Sequence, residues 1–201
     1  MDHSIKAAEL FLGGYNCAQA VFLAFGDVTG MDRKTAAMLS SPFGGGMGRL
    51  REVCGAVSGM FMVLGVLYGY DENDTDIQKK QLYKDVQALA EKFRAECGSI
   101  ICREILKNPP SDPNPTPRTA EFYAKRPCAR MVMTAARLLD GFIVTVKRAQ
   151  HHKHAADGTA DLPHTAHTAA EGRREHSCCF LIHTGYVAKC QKYRLGAVAA
   201  S

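Results

Sequence analysis

Apolar residues recur at spacings of three and four along most of the first 140 positions, broken at intervals by capping residues, glycines and prolines. Ser4–Leu12 starts on a serine cap, turns Ile5, Ala8 and Leu12 to one side and stops at Gly13-Gly14. Asn16 caps a second helix, with Cys17 in its first turn and Val21, Phe22 and Phe25 as its stripe. Asp32 caps a third, Arg33–Ser40, which Pro42 ends. Ser41–Gly48, SPFGGGMG, predicts a turn-rich loop whose glycines, Gly45 and Gly46 among them, bring backbone N–H groups close to an anion, a cluster or another helix.

Val53–Tyr70 is the stretch around which the rest is arranged: eighteen residues without a charge, opening on Cys54-Gly55. Its length just reaches that of a membrane span, but Gly55, Ser58, Gly59, Gly65 and Gly69 make it a poor one, and it reads as a buried central helix. Gly55/Gly59 and Gly65/Gly69 stand four apart, so each pair shares a face that lets another backbone approach, either within the bundle or in a homodimer.

Beyond an acidic turn, Ile77, Leu82, Val86, Leu89, Phe93 and Cys97 mark the longest amphipathic helix, with Gly98 as its stop. Ser99 caps a short helix over Ile100–Leu106 that carries Cys102 in its first turn. Asn108–Pro117 holds five of the eight prolines and predicts an extended surface spacer, followed by a single turn at Thr119–Ala124. Pro127-Cys128 opens the last helix, with Met131, Val132, Ala135, Leu138 and Leu139 facing inward. The fold class that follows is all-α, a compact bundle of about six to seven helices around the glycine-rich central one.

From Gly141 the pattern fades, and seven of the eight histidines fall in His151–His183 among Ala, Thr and Gly. The expected organisation is a four-cysteine helical domain over 1–140 and a poorly ordered tail over 141–201. His176, Cys178, Cys179, His183 and Cys190 lack the paired spacing of a zinc site.

Charge narrows the function. Lys and Arg exceed Asp and Glu by only 17 to 16 over 1–140, but by 8 to 4 over 141–201, so the net charge of +5 belongs mainly to the tail. No basic stripe with interleaved aromatics marks a nucleic-acid face. MDHSIKAAELF lacks the basic and apolar regions of a secretory signal, which points to the cytoplasm. Eight cysteines in a reducing compartment suggest metal binding or redox chemistry before a disulfide frame. A hydrolase gains no support: G-x-S-x-G and H-E-x-x-H are absent, and every histidine but His3 lies in the tail.

Cys17, Cys54, Cys102 and Cys128 each fall at the start of a predicted helix, where the positive end of the helix dipole favours a thiolate. Arg49 and Arg51 precede Cys54, and Arg103 and Arg130 follow Cys102 and Cys128, adding positive potential where their side chains turn inward. Cys97, on an apolar stripe, reads as packing.

Five segments, GYNCAQAV, FGGGMG, CGAVSG, CREIL and PCARMV, together resemble the C_GCAxxG_C_C family, a domain of about the length of 1–140 defined by four cysteines and a CGAxxG motif. The resemblance implies redox activity through Cys17, Cys54, Cys102 and Cys128; it names no substrate, and Cys97 and the tail cysteines match none of its motifs.

Three mechanisms stay open. In thiol–disulfide exchange with a redox partner protein, Cys54 is the expected attacker and another cysteine resolves the mixed disulfide. An iron–sulfur cluster or zinc would use the same four thiolates, with Gly55 and Gly59 making room and Gly45 and Gly46 supplying backbone contacts. A helical interaction module would use the cysteines only for packing.

Overall fold

The computed structural model describes residues 2–72, 76–114 and 117–156, the last eight by backbone alone. Nine α-helices occur among them: α1 (His3–Leu12), α2 (Cys17–Ala24), α3 (Gly26–Thr29), α4 (Arg33–Ser40), α5 (Gly55–Tyr68), α6 (Asp76–Cys97), α7 (Cys102–Ile105), α8 (Ala120–Lys125) and α9 (Cys128–Ala156). A 3₁₀ turn at Ser41–Phe43 follows α4, and the described residues contain no strand beyond one antiparallel bridge, Val53 to Ile101. The all-α expectation holds, with α3 as the additional one-turn helix that periodicity cannot detect.

The caps explain the helix starts. The Asn16 side chain accepts from the N–H groups of Ala18 and Gln19, both at 3.0 Å, while the Gln19 side chain accepts from the Asn16 N–H. Asp2 caps α1 by accepting from Ser4 N–H and Asp32 caps α4 by accepting from Thr35 N–H, so the first cap lies two residues before the expected Ser4. Ser4 instead donates its hydroxyl to Asp2.

The core forms where α5 meets α2, α9 and α6, with α1 lying along α9 and α2. Val57, Met60, Val63 and Leu64 of α5 are fully buried against Val21, Phe22, Leu89, Phe93, Met131, Val132 and Leu139. The close contact of α5 with α2 depends on Gly59: a Cβ there would lie 2.6 Å from the carbonyl oxygen of Ala18 and 3.0 Å from Cβ of Val21. The Gly55/Gly59 face is therefore used within the chain, whereas Gly65 has open space beside it. Among the described residues no helix is long and apolar enough to cross a membrane.

The final helix does not stop near Asp140. Gly141 costs an interior helical position only about 1 kcal/mol, and Ile143 continues the buried stripe of Ala135, Ala136 and Leu139. Asp140 accepts from His3 Nδ1 at 2.5 Å, and Phe142 meets Tyr68 edge-on. The boundary expected at 140 thus falls inside α9, which carries helix as far as Ala156. Residues 157–201, with the expected tail, its Cys178, Cys179 and Cys190 and four of its histidines, lie outside the described residues.

Candidate functional site

Four helix starts meet at one end of the bundle. Cys17 and Cys102 are the first residues of α2 and α7, Cys128 is the first of α9, and Cys54 is the N-cap of α5. The chain segments carrying Cys54 and Cys102 are joined through the backbone. Cys54 N–H donates to the Ile100 carbonyl at 2.8 Å, Cys102 N–H to Glu52 at 2.7 Å, and Arg103 N–H to Arg51 at 2.9 Å. Asn16, the cap of α2, donates its side-chain amide to the Ser41 carbonyl and so ties Cys17 to the entrance of the glycine loop.

That loop has an unusual backbone. Gly45, Gly46, Met47, Gly48, Arg49 and Arg51 all have positive φ, between 58° and 76°. For Met47, Arg49 and Arg51 this conformation costs on the order of 1 kcal/mol or more each, and it persists only where surrounding bonds hold it. Gly46 could not be replaced without movement, because a Cβ there would lie 2.6 Å from Cβ of Cys102. The loop thus turns the Arg49 and Arg51 side chains toward the cysteines.

All four cysteines line one cavity of about 340 Å³, together with Gly45, Gly46, Gly55, Arg49, Arg51, Arg118, Arg126, Phe122 and Pro113. Cys54 and Cys102 are buried, Cys17 and Cys128 partly so, and no disulfide joins the described cysteines. Gly59 lies one turn further along α5, against α2 and outside the cavity. Space beside Gly55 is likewise taken by Phe43 and Cys17, so neither glycine of that pair leaves a cradle for a group. Cys97 stands apart near Thr134, and burial raises its pKa.

The thiols differ sharply in acidity. Hydrogen bonding from Cys17 is the main cause that lowers the Cys128 pKa to about 7, against the opposing effect of burial and with help from Arg126, Arg118 and Arg51. Cys17 holds its proton as the donor of that bond, and its own pKa is raised well above the ordinary value by the bond and by burial. For Cys54, burial pushes the pKa up to about 12, although the N–H groups of Ala56 and Val57 act in the other direction. Burial also raises Cys102, against the effect of nearby Arg51, and its thiol donates to the Gly45 carbonyl at 3.5 Å. The four cysteines stand at helix starts as expected, and at Cys54, the expected attacker, desolvation outweighs the effect of the helix end.

Arginines supply the positive potential, but only partly those expected. Arg51 is 3% exposed, and its guanidinium donates to the carbonyls of Pro110 at 3.2 Å and Gly45 at 3.4 Å. Arg49 donates to the Asp112 carbonyl. Arg103 is instead turned out to pair with Glu52, and Arg130 is exposed outside the cavity. Arg118 and Arg126 are the residues that sequence reasoning missed. Arg118 donates to the carbonyls of Phe11 and Tyr15 and lies over the Phe11 and Phe122 rings; Arg126 lies over Phe122 at 4.8 Å. The signal for Arg126 was its place two residues before Cys128; Arg118 had none, since it reaches the site only because the proline-rich segment folds back. That segment is a wall as well as a spacer, with Pro113 lining the cavity and Pro110 and Asp112 accepting from the arginines.

Among the described residues no three His, Cys, Asp or Glu side chains converge closely enough to hold a metal ion. The four thiols as arranged do not form a ready tetrathiolate for zinc or a cluster, which would need all of its donors within bonding reach of one centre.

Residues 15–142 match the family model described as "Putative redox-active protein (C_GCAxxG_C_C)". Neither the curated proteins nor the solved structures give a match. The matched stretch covers more than half of the chain and contains every cysteine and every arginine of the cavity. The chain belongs to the C_GCAxxG_C_C family.

Proposed function

We propose that the protein carries out thiol–disulfide exchange, with Cys128 as attacking thiolate and Cys17 as resolving thiol. The observation that carries this reading is that Cys17 and Cys128 line the same cavity, where the Cys17 thiol is the main cause that makes Cys128 the most acidic of the four. The thiolate is the nucleophile, so Cys128 is the group ionised in the neutral range, while Cys54, with a pKa of about 12, stays protonated there. Cys54 and Cys102 pack beside the pair as buried thiols.

In the first step the Cys128 thiolate attacks one sulfur of a substrate disulfide, forming a mixed disulfide and releasing one substrate thiolate, which takes a proton from water. Cys17 then gives up its proton to solvent and attacks Sγ of Cys128. A Cys17–Cys128 disulfide forms and the second substrate thiolate leaves, so two electrons pass from the protein to the substrate. An external thiol, from a partner protein or a small dithiol, returns the pair to the reduced state.

Mild oxidation of the full chain, followed by digestion without reduction and mass spectrometry, tests this. A Cys17–Cys128 crosslink is expected in the native chain and in Cys54→Ser and Cys102→Ser. Cys17→Ser is expected to accumulate the mixed disulfide on Cys128, and incubation with a chelator to leave exchange unchanged. A crosslink between other cysteines, or loss of exchange on chelation, would overturn the reading, the second in favour of a metal-dependent protein.

A further inference from the structure

The walls of the cavity carry charge of one sign. Arg49, Arg51, Arg118 and Arg126 line it, and among the described lining residues there is no Asp or Glu. Asp112 bears on Arg49 from outside the lining. The other three guanidiniums donate to backbone carbonyls or lie over aromatic rings, and among the described residues none forms an ion pair with a carboxylate.

One thiolate at Cys128 balances one of these charges. A group of cations beyond that need is costly to hold together, because like charges in a partly desolvated site repel one another. The surplus faces the space in front of the attacking sulfur, and Phe11 and Phe122 supply apolar surface beside it. The volume of about 340 Å³ lies at the lower end of the range for small-molecule sites.

From this geometry we infer that the substrate is a small disulfide bearing carboxylate or similar negative charge, drawn into the cavity by Arg118 and Arg126 so that one sulfur meets Cys128. The inference rests on the exchange reading above. The steps are those already given: one S–S bond of the substrate breaks, a Cys17–Cys128 disulfide replaces it, and two anionic thiols leave with the electron pair.

Three small aliphatic disulfides of different charge test this: 3,3′-dithiodipropionate, a dianion; bis(2-hydroxyethyl) disulfide, neutral; and cystamine, a dication. Rates of thiol loss at Cys128 in the reduced full chain are measured with each. The dianion is expected to react at least about tenfold faster than the neutral disulfide at low salt, with the dication slowest, and raising the salt should shrink the ratio. Arg118→Gln and Arg126→Gln should each reduce the dianion-to-neutral ratio several-fold. Using the ratio cancels any change in Cys128 acidity, which alters both rates alike. Arg126→Lys should recover part of the ratio, and Arg94→Gln, on the outer face of α6, should not change it. Equal rates for the three disulfides, or a ratio unmoved by the cavity substitutions, would overturn the inference while exchange itself stands. No thiol loss at Cys128 with any of the three would overturn exchange and the inference with it.

Discussion

Replacing Cys17 by alanine removes the hydrogen-bond donor that contributes most to the acidity of Cys128. In the native chain the Cys128 pKa is lowered from 9.0 to about 7. At pH 7 a thiol of that acidity is about half ionised and one of ordinary acidity only about 1% ionised, a ratio of about fifty. Part of this advantage is lost, because a less basic thiolate is a weaker nucleophile: with a Brønsted coefficient of about 0.45, two pKa units correspond to about eightfold. Full loss of the shift would slow Cys128 at pH 7 by about sixfold. Arg126, Arg118 and Arg51 remain in Cys17→Ala and keep some of the shift, so the expected loss is about two- to sixfold. Well above pH 9 the order reverses, since both thiols are ionised and the more basic thiolate is faster. The assay is iodoacetamide labelling of the reduced chain across a pH series, with Cys128 followed by peptide mass spectrometry. The two rate profiles should cross, and Cys17→Ser, which keeps a donor, should stay close to the native midpoint. An unshifted midpoint in Cys17→Ala would refute the assignment of Cys128 acidity to this bond.

Two further outcomes test the packing around the site. Cys54 binds its proton more tightly in the folded chain, with a pKa of about 12 against 9.0 for an ordinary thiol; its contribution to stability is complete below about pH 9 and is lost as pH rises through about 12, worth about 4 kcal/mol across the window. Denaturant titrations at several alkaline pH values should therefore fall less steeply for Cys54→Ala than for the native chain, and parallel slopes would count against the buried thiol as the cause. Gly59→Ala and Gly65→Ala, in the same helix, should act with opposite sign. The first drives a Cβ to 2.6 Å from a backbone oxygen and is expected to destabilise by about 1–3 kcal/mol; the second meets open space and should stabilise by up to about 1 kcal/mol, both read as shifts in the denaturant midpoint.

The helices were legible because their signals are local. Asn16 and Asp32 as caps, Gly13 and Gly98 as stops, and apolar spacings of three and four act within one or two turns, so the chain itself determined an all-α domain with a cysteine at each of four helix starts. Placement at a helix start was equally legible; relative acidity was not. Cys17 and Cys128 are 111 residues apart in sequence, and only the packing of α1 and α2 on α9 brings them to one cavity. Burial, which leaves Cys54 protonated, depends on how completely α2, α5 and α9 exclude water. Arg118 was hidden for the same reason, since it reaches the cavity through the return of a proline-rich segment whose path local rules leave open. Hydrogen-bonding propensity and helix dipoles are properties of neighbours in sequence, whereas desolvation and the charge around a thiol are sums over neighbours in space, and only the tertiary structure decides those.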